Sequence, residues 1–326
     1  MKLPQLRIGN LLPKYPIIQG GMAVRVSTAP LAAAVASAGG IGIIGASGMS
    51  ATELREEIRS ARRLTAGIVG VNIMYAIKNF ADMVRTSLEE RIDLIISGAG
   101  FSRDIFTWGK ESGIPIVTIV SSAKLAAIAE KYGASAVVAE GTEAGGHLGT
   151  DQPLAEIIPA IRKAIKIPLI AAGGIVNGSD IARILKLGAD GVQMATRFVL
   201  SRECTVADSF KQMYLNARQE DVMIVRSPVG LPGRALRNPF AEALMEGEGA
   251  PRPEKCVGCL KKCSNEYCII QALENSRLGN VNQGIVFVGQ NVHRIKEILP
   301  VQEIFNRLVR EVEEVEDDEI GHREPA

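Results

Sequence analysis

Apolar, largely β-branched runs of strand length recur along the chain, each followed by a stretch whose apolar residues fall at helical spacing. The runs are PIIQGGM (16–22), IGIIGAS (41–47), GIVGVNIM (67–74), LIISGAG (94–100), PIVTIVSS (115–122), AVVAEGT (136–142), PLIAAGGIV (168–176) and GVQMATRF (191–198). They are nearly continuous in hydrophobicity rather than alternating, which marks strands covered by helices on one face and by a filled interior on the other. Between them lie APLAAAVASAGG, SATELREEIRSARRLT, NFADMVRTSLEER, SRDIFTWGKESG, AKLAAIAEKYG, LAEIIPAIRKAIK and GSDIARILKLG, several of them closed by glycine. Eight such units predict an α/β fold, a (β/α)8 TIM barrel, with a doubly wound open sheet as the alternative.

The rhythm breaks after Phe198. An eighth helix is predicted around 205–218, and the proline- and glycine-rich segment 226–253 reads as an ordered excursion or lid. Helical patterns return in IIQALENSRLG and near 301–315, and the acidic end reads as solvated. The expected organisation is a barrel over 1–235, a lid and helical C-terminal extension over 236–316, and an acidic disordered tail over 317–326.

Length fits this division, because 326 residues exceed the roughly 250–300 that one core usually holds. A hydrophobic share of 47% and a formal charge of +1 point to a soluble protein with no bias toward nucleic acid or anionic membranes. No run approaches the ~20 apolar residues of a membrane span, and Pro4, Pro13 and Pro16 break the start, so a cytoplasmic location is expected. A small-molecule substrate is the expected partner; oligomeric state stays open, a homodimer included.

Active groups of such barrels collect at the C-terminal ends of the strands. Five of the eight strand ends here contain glycine, which either bends the chain or admits a ligand against backbone. AAGGI after the seventh run and ATRF after the eighth offer free N–H groups and a hydroxyl where phosphate sites recur, so a phosphorylated cofactor is expected there. His147 follows Gly145 and Gly146 in the loop after the sixth run and should reach over the barrel mouth. With an ordinary pKa of ~6.5, an imidazole can act as base or acid near neutrality. Glu140 should face the mouth too, while Glu143 reads as a turn carboxylate, His293 as structural and Cys204 as a core residue; His322 receives no role.

Taken together, PIIQGGM, GIGIIG, GVNIM, AEGTEAGGHLG, IAAGGI and VQMATRF make the chain resemble the FMN-dependent nitronate monooxygenases, formerly 2-nitropropane dioxygenases, and equally the flavin-dependent enoyl-acyl-carrier-protein reductases of the same superfamily. The resemblance covers about residues 5–235. It implies FMN on a barrel, with Gly21, Met22 and Asn72 at the flavin ring and Glu140 at the ribityl side. Gly173, Gly174, Ala195 and Thr196 would hold the phosphate, with Gln193 near and Gly146 also in the cofactor set. His147 matches the family's active-site histidine, the proton-transfer residue in the monooxygenases. Ser121 and Ser122 stand where some monooxygenases carry lysine, closer to the reductase pattern.

Cys256, Cys259, Cys263 and Cys268 are spaced C-x2-C-x3-C-x4-C, short enough for four thiolates to wrap one metal centre. A [4Fe–4S] cluster is expected there, with structural zinc and metal-free thiols as alternatives. The function expected is oxidation of alkyl nitronates by an FMN-dependent oxidoreductase. The alternatives are enoyl thioester reduction with NAD(P)H and a non-catalytic flavin or metal sensor.

Overall fold

The computed structural model describes residues 1–247 and 256–321, with backbone alone for 316–321. All eight predicted strands form: β1 (Ile17–Gln19), β2 (Gly42–Gly45), β3 (Val69–Met74), β4 (Leu94–Gly98), β5 (Ile116–Val120) and β6 (Ala136–Glu140), then, beyond a two-residue strand β7 (Gly146–His147), β8 (Leu169–Ala172) and β9 (Gly191–Met194). Barrel neighbours pair in parallel in the order β1-β9-β8-β6-β5-β4-β3-β2. A parallel bridge between Ile18 and Ile41 joins the two ends, so the sheet is a closed barrel and not an open doubly wound one.

Helices α1 (Ala29–Ser37), α2 (Ala51–Leu64), α3 (Phe80–Glu89), α4 (Arg103–Ser112), α5 (Ala123–Tyr132), α6 (Leu154–Ala164) and α7 (Gly178–Lys186) are the seven predicted crossovers. Their limits follow from local chemistry. Ser50, Ser122 and Asn177 each accept an N–H from the first turn of α2, α5 and α7, while Gly113 and Gly133 end α4 and α5 in the left-handed conformation.

Two apolar clusters divide the core by strand parity. Inward positions such as Ile18, Ile43, Leu94, Ile96, Val117, Val138 and Ile170 fill the barrel, and Leu6 and Ile8 plug its lower end. Outward positions such as Ile44, Val71, Ile95, Val137 and Val192 pack against the helices. At the mouth the same inward parity brings Gly20, Asn72, Gly98, Glu140, Ala172 and Gln193 to the top layer. Apolar filling therefore stops one layer short of the rim, and glycine and polar side chains take over.

A short α8 (Thr196–Val199) leads to α9 (Asp208–Asn216), a hairpin of β10 (Val222–Val225) and β11 (Gly233–Leu236), α10 (Pro239–Glu246), α11 (Ile269–Arg277) and α12 (Val301–Gly321). The helix predicted around 205–218 is α9, but it does not take the eighth outer place. That place belongs to α12, which packs on α7 and α1, while Phe210 and Tyr214 of α9 turn toward the mouth. The extension expected over 236–316 thus splits into a roof over the mouth and a closing helix for the ring. The acidic tail expected from 317 begins inside α12, which stays helical to Gly321; residues 322–326 lie outside the described residues. Among the described residues, no helix is long and apolar enough to cross a membrane.

Helix α1 lies so close to β2 that a Cβ on Gly42 would stand 1.8 Å from the Ala32 carbonyl oxygen. Gly42→Ala should destabilise the protein by about 3 kcal/mol or more, because backbone on both sides cannot yield. The urea midpoint measures this; an unchanged midpoint would refute the close packing.

Candidate active site

Above the strand ends lies a cavity of about 470 Å³. Its floor is the top barrel layer, Gly20, Asn72, Gly98, Glu140 and Gln193 among it, and the Gly21–Val24 turn forms one wall. Leu260, Ile269, Ile270 and Leu273 roof it from the C-terminal segment, with Val229 and Leu231 from the hairpin turn. A second pocket of about 60 Å³ adjoins it and shares Glu140, Gly145, Gln193, Ala195 and Thr196.

The smaller pocket is made of backbone. Gly173 (φ 120°) and Gly174 (φ 69°) turn through conformations that side chains rarely adopt, and a Cβ on Gly174 would meet Glu143 and Asn291 at 3.0 and 3.1 Å. Among the described residues, the N–H groups of Gly174, Ala195 and Thr196 make no hydrogen bond. The Thr196 hydroxyl accepts from Gly289 N–H at 3.0 Å, and Asn291 Nδ2 donates to the Gly174 carbonyl at 2.6 Å. Unpaired N–H groups around a small concavity suit an oxyanion.

Glu140, Ala172 and Gln193 stand level on three adjacent strands. Burial raises the Glu140 carboxyl to about 7, so at neutral pH the group is poised between donor acid and carboxylate. Gln193 Oε1 is buried without a hydrogen-bond partner among the described residues. An orphaned amide oxygen at the junction of the two pockets calls for a donor from a bound molecule. Asn72 lines the cavity beside Gly21, whose absent side chain makes room for it: a Cβ there would fall 2.3 Å from the Asn72 Cβ. Met22 is pinned by its N–H to Ser27 Oγ at 2.8 Å.

His147 lies on β7, which pairs antiparallel with β11 through Gly233 opposite His147 and Arg234 opposite Gly146. Arg234 ties down the same loop by donating to the carbonyls of Thr142 and Ala144 at 2.7 and 3.2 Å. The imidazole Nε2 is 2.7 Å from Ser227 Oγ, and the ring meets Phe287 edge-on at 5.1 Å between centroids. Burial lowers its pKa to about 4, so His147 is neutral at physiological pH. A neutral imidazole on the wall of a partly apolar cavity is equipped to take a proton.

The structure brings His147, Gly21, Met22, Asn72, Glu140, Gly146, Gln193, Ala195 and Thr196 around one cavity, with Gly173 and Gly174 in the adjoining pocket. Ser121 lines it as well, whereas Ser122 caps α5. Glu143 accepts from Leu154 N–H at the start of α6, a turn role as expected. Cys204 is buried in the core, and His293 sits in a short turn away from the cavity.

The four-thiolate centre expected at Cys256, Cys259, Cys263 and Cys268 is not assembled: among the described residues, no group of three or more His, Cys, Asp or Glu side chains is arranged to hold a metal ion. The segment is anchored at two separate places instead. Lys78 N–H donates to the Cys259 carbonyl and Lys261 N–H to Ala76, while Ser264 N–H donates to Pro228. The sulfurs of Cys256 and Cys263 are exposed and accept N–H groups of their own turns, from Gly258 and Asn265. Burial, with the neighbouring sulfurs of Cys268, Cys263 and Cys256 adding to it, pushes the Cys259 thiol up.

Sequence reasoning missed Ser227, Arg234, Phe287 and the roof residues. Ser227 stands in an excursion with no catalytic spacing, and Phe287 in an apolar run that carries no turn signal.

A model of the nitronate monooxygenase family matches residues 6–90 and 76–311. In Rhodococcus jostii, a protein named (3aS,4S,5R,7aS)-5-hydroxy-7a-methyl-1-oxo-octahydro-1H-indene-4-carboxyl-CoA dehydrogenase is 33% identical over 71% of this chain and 65% of its own length, so the chain spans slightly under two thirds of that relative. A probable nitronate monooxygenase of Staphylococcus aureus is 32% identical over 72% of this chain and 79% of its own. The solved structure of FabK from Thermotoga maritima superposes with a TM-score of 0.87 at 35% identity, covering 95% of this chain and 96% of that one. With a family match across most of its length and a barrel that encloses the matching motifs, the chain belongs to the nitronate monooxygenase family.

Proposed function

We propose that the protein is an FMN-dependent oxidoreductase that oxidises alkyl nitronates, with His147 as its acid/base residue. The observation that carries this reading is the joining of an oxyanion-sized pocket to a larger, partly apolar cavity whose wall holds a neutral imidazole. FMN matches that shape: a phosphate at one end and a broad ring at the other. Gly173, Gly174, Ala195 and Thr196 would hold the phosphate, Gln193 and Glu140 the ribityl portion, and Gly21, Met22, Asn72 and Gly146 the ring. When bound, FMN would supply the electron transfer.

The residues of the chain do the rest. The roof of Leu260, Ile269, Ile270 and Leu273 excludes water from the substrate. His147 serves as the acid/base residue at the cavity wall, and burial keeps its resting form neutral. Arg234 and β11 hold the loop so that the imidazole stays over the cavity.

A second reading, NAD(P)H-dependent reduction of an enoyl thioester, is favoured by the apolar roof and by the coenzyme A thioester in the name of the Rhodococcus jostii relative. Anaerobic mixing of the FMN-loaded protein separates the two. Bleaching of the flavin absorbance by an alkyl nitronate and not by NAD(P)H is expected; the reverse would transfer the protein to the reductase reading. His147→Ala should lower turnover about 100-fold or more while FMN stays bound.

Gly174→Val should weaken FMN binding at least about tenfold, equivalent to ~1.4 kcal/mol, because a side chain would fill the pocket from a left-handed backbone position. Fluorescence titration measures it; wild-type affinity in the variant would remove the phosphate from this pocket.

Because the folded imidazole binds its proton only near pH 4, the active neutral form persists well below the ordinary histidine range. The acid limb of kcat/KM should therefore fall near pH 4, with no loss as pH drops through about 6.5. A limb at the ordinary histidine value would mean that His147 is solvated in turnover.

A further inference from the structure

We infer that residues 286–291 form a strap that completes the oxyanion pocket from outside the barrel and joins it to His147, with Gly289 and Asn291 as positioning residues for the cofactor phosphate. The inference deepens the reading above and rests on the place that reading gives the phosphate.

Three loops that surround the smaller pocket are tied to this strap. Gln290 N–H donates to the Glu143 carbonyl at 3.1 Å, in the loop after β6. Asn291 Nδ2 donates to the Gly174 carbonyl at 2.6 Å, in the turn after β8, and Gly289 N–H donates to Thr196 Oγ at 3.0 Å, just beyond β9. Gly289 and Asn291 also line the pocket themselves. Consecutive residues therefore gather loops that the barrel brings together but does not bond to one another.

The directions of these bonds are settled by groups that can play one part only. An N–H can only donate, so Thr196 Oγ accepts from Gly289, and its own hydrogen, which meets no acceptor among the described residues, is left for a bound oxyanion. A carbonyl can only accept, so the Asn291 amide fixes the left-handed turn whose Gly174 N–H is unpaired. Asn291 N–H makes no hydrogen bond among the described residues either. The strap thus adds one donor and fixes the groups that carry two more.

Its other half stands behind the imidazole. Val288 N–H donates to the Arg234 carbonyl at 3.1 Å, Phe287 bridges to Ala235, and the Phe287 ring meets His147 edge-on. A Cβ on Gly145 would stand 2.6 Å from the Val288 carbonyl carbon, so the histidine loop rests on strap backbone directly. Both ends are clamped: Ile285 N–H donates to Ala272 of α11 at 3.1 Å, and Arg294 reaches both Asp180 oxygens at 3.1 Å. A ligand that binds only the seated strap stabilises every contact that depends on the seating. Occupancy of the oxyanion pocket and the setting of His147 are then one condition.

Hydrogen exchange read by mass spectrometry tests this in the whole protein, with inorganic phosphate as the probe. Saturating phosphate should slow exchange about fivefold or more both in 286–292 and in 142–148, while α3 and α4 stay unchanged. Asn291→Ala should abolish the slowing in 142–148. It should also weaken FMN about tenfold or more, and riboflavin, which lacks the phosphate, less than about twofold. A merely structural loss would weaken the two flavins alike.

Phosphate that protects neither segment, or 286–292 alone, would overturn the inference. So would an Asn291→Ala protein with equal losses for the two flavins or with wild-type affinity for FMN. If that variant does not fold, the wild-type exchange pattern decides. A wild-type protein that responds to phosphate but binds no FMN would sink the proposed function and leave the strap in place; one that oxidises nitronates without the response would do the opposite.

Discussion

The site depends on the seam at which the parallel sheet meets itself. Ile18 bridges to Ile41, Gln19 N–H donates to the Ile41 carbonyl at 2.9 Å, and the Ile41 N–H donates to Ile17 at 3.0 Å. The buried side chain of Gln19 adds a stitch by accepting the Ile43 N–H at 3.0 Å and donating to the Gly20 carbonyl. Its amide is thereby satisfied inside the protein at the one joint where the ladder is shortest. Only because the ring closes do turns that are remote in sequence, those after β1, β3, β6, β8 and β9, share one rim.

Upon that rim, burial does the electrostatic work. The same removal from water moves Glu140 up to about 7 and His147 down to about 4, in each case favouring the uncharged form. Neither shift has an ion pair as its cause. A cavity with a carboxyl poised near neutrality, a neutral imidazole and an unpartnered Gln193 oxygen is polar while carrying little charge. Such a site can hold a polar cofactor by hydrogen bonds while keeping an apolar roof stable.

The roof and the hairpin explain why the chain does not stop at its eighth strand. β11 pairs with the histidine strand, Arg234 donates into the same loop, and Phe287 packs on the imidazole. These contacts come from residues 227–287, long after the loop they hold. The cysteine-bearing segment joins the turn after β3 to the excursion at Pro228. Short spacing keeps the chain-entropy cost of convergence low, but it does not decide where the flanking backbone bonds go.

The eight strands and seven crossover helices were legible in the sequence because their signals are local: nearly continuous apolar runs, glycines at helix ends and Ser or Asn at helix starts. Position at the strand ends also made several cavity-lining residues and His147 legible, since a residue at a barrel strand end has few other places to point. The sequence could not say that α12 and not α9 closes the ring, because both are amphipathic and only packing against α7 and α1 distinguishes them. Nor could it pair Ser227 with His147 across 80 positions, or Arg234 with the carbonyls of Thr142 and Ala144. Those outcomes rest on contacts between segments far apart in the chain, and local preference carries no record of which distant partner a side chain meets.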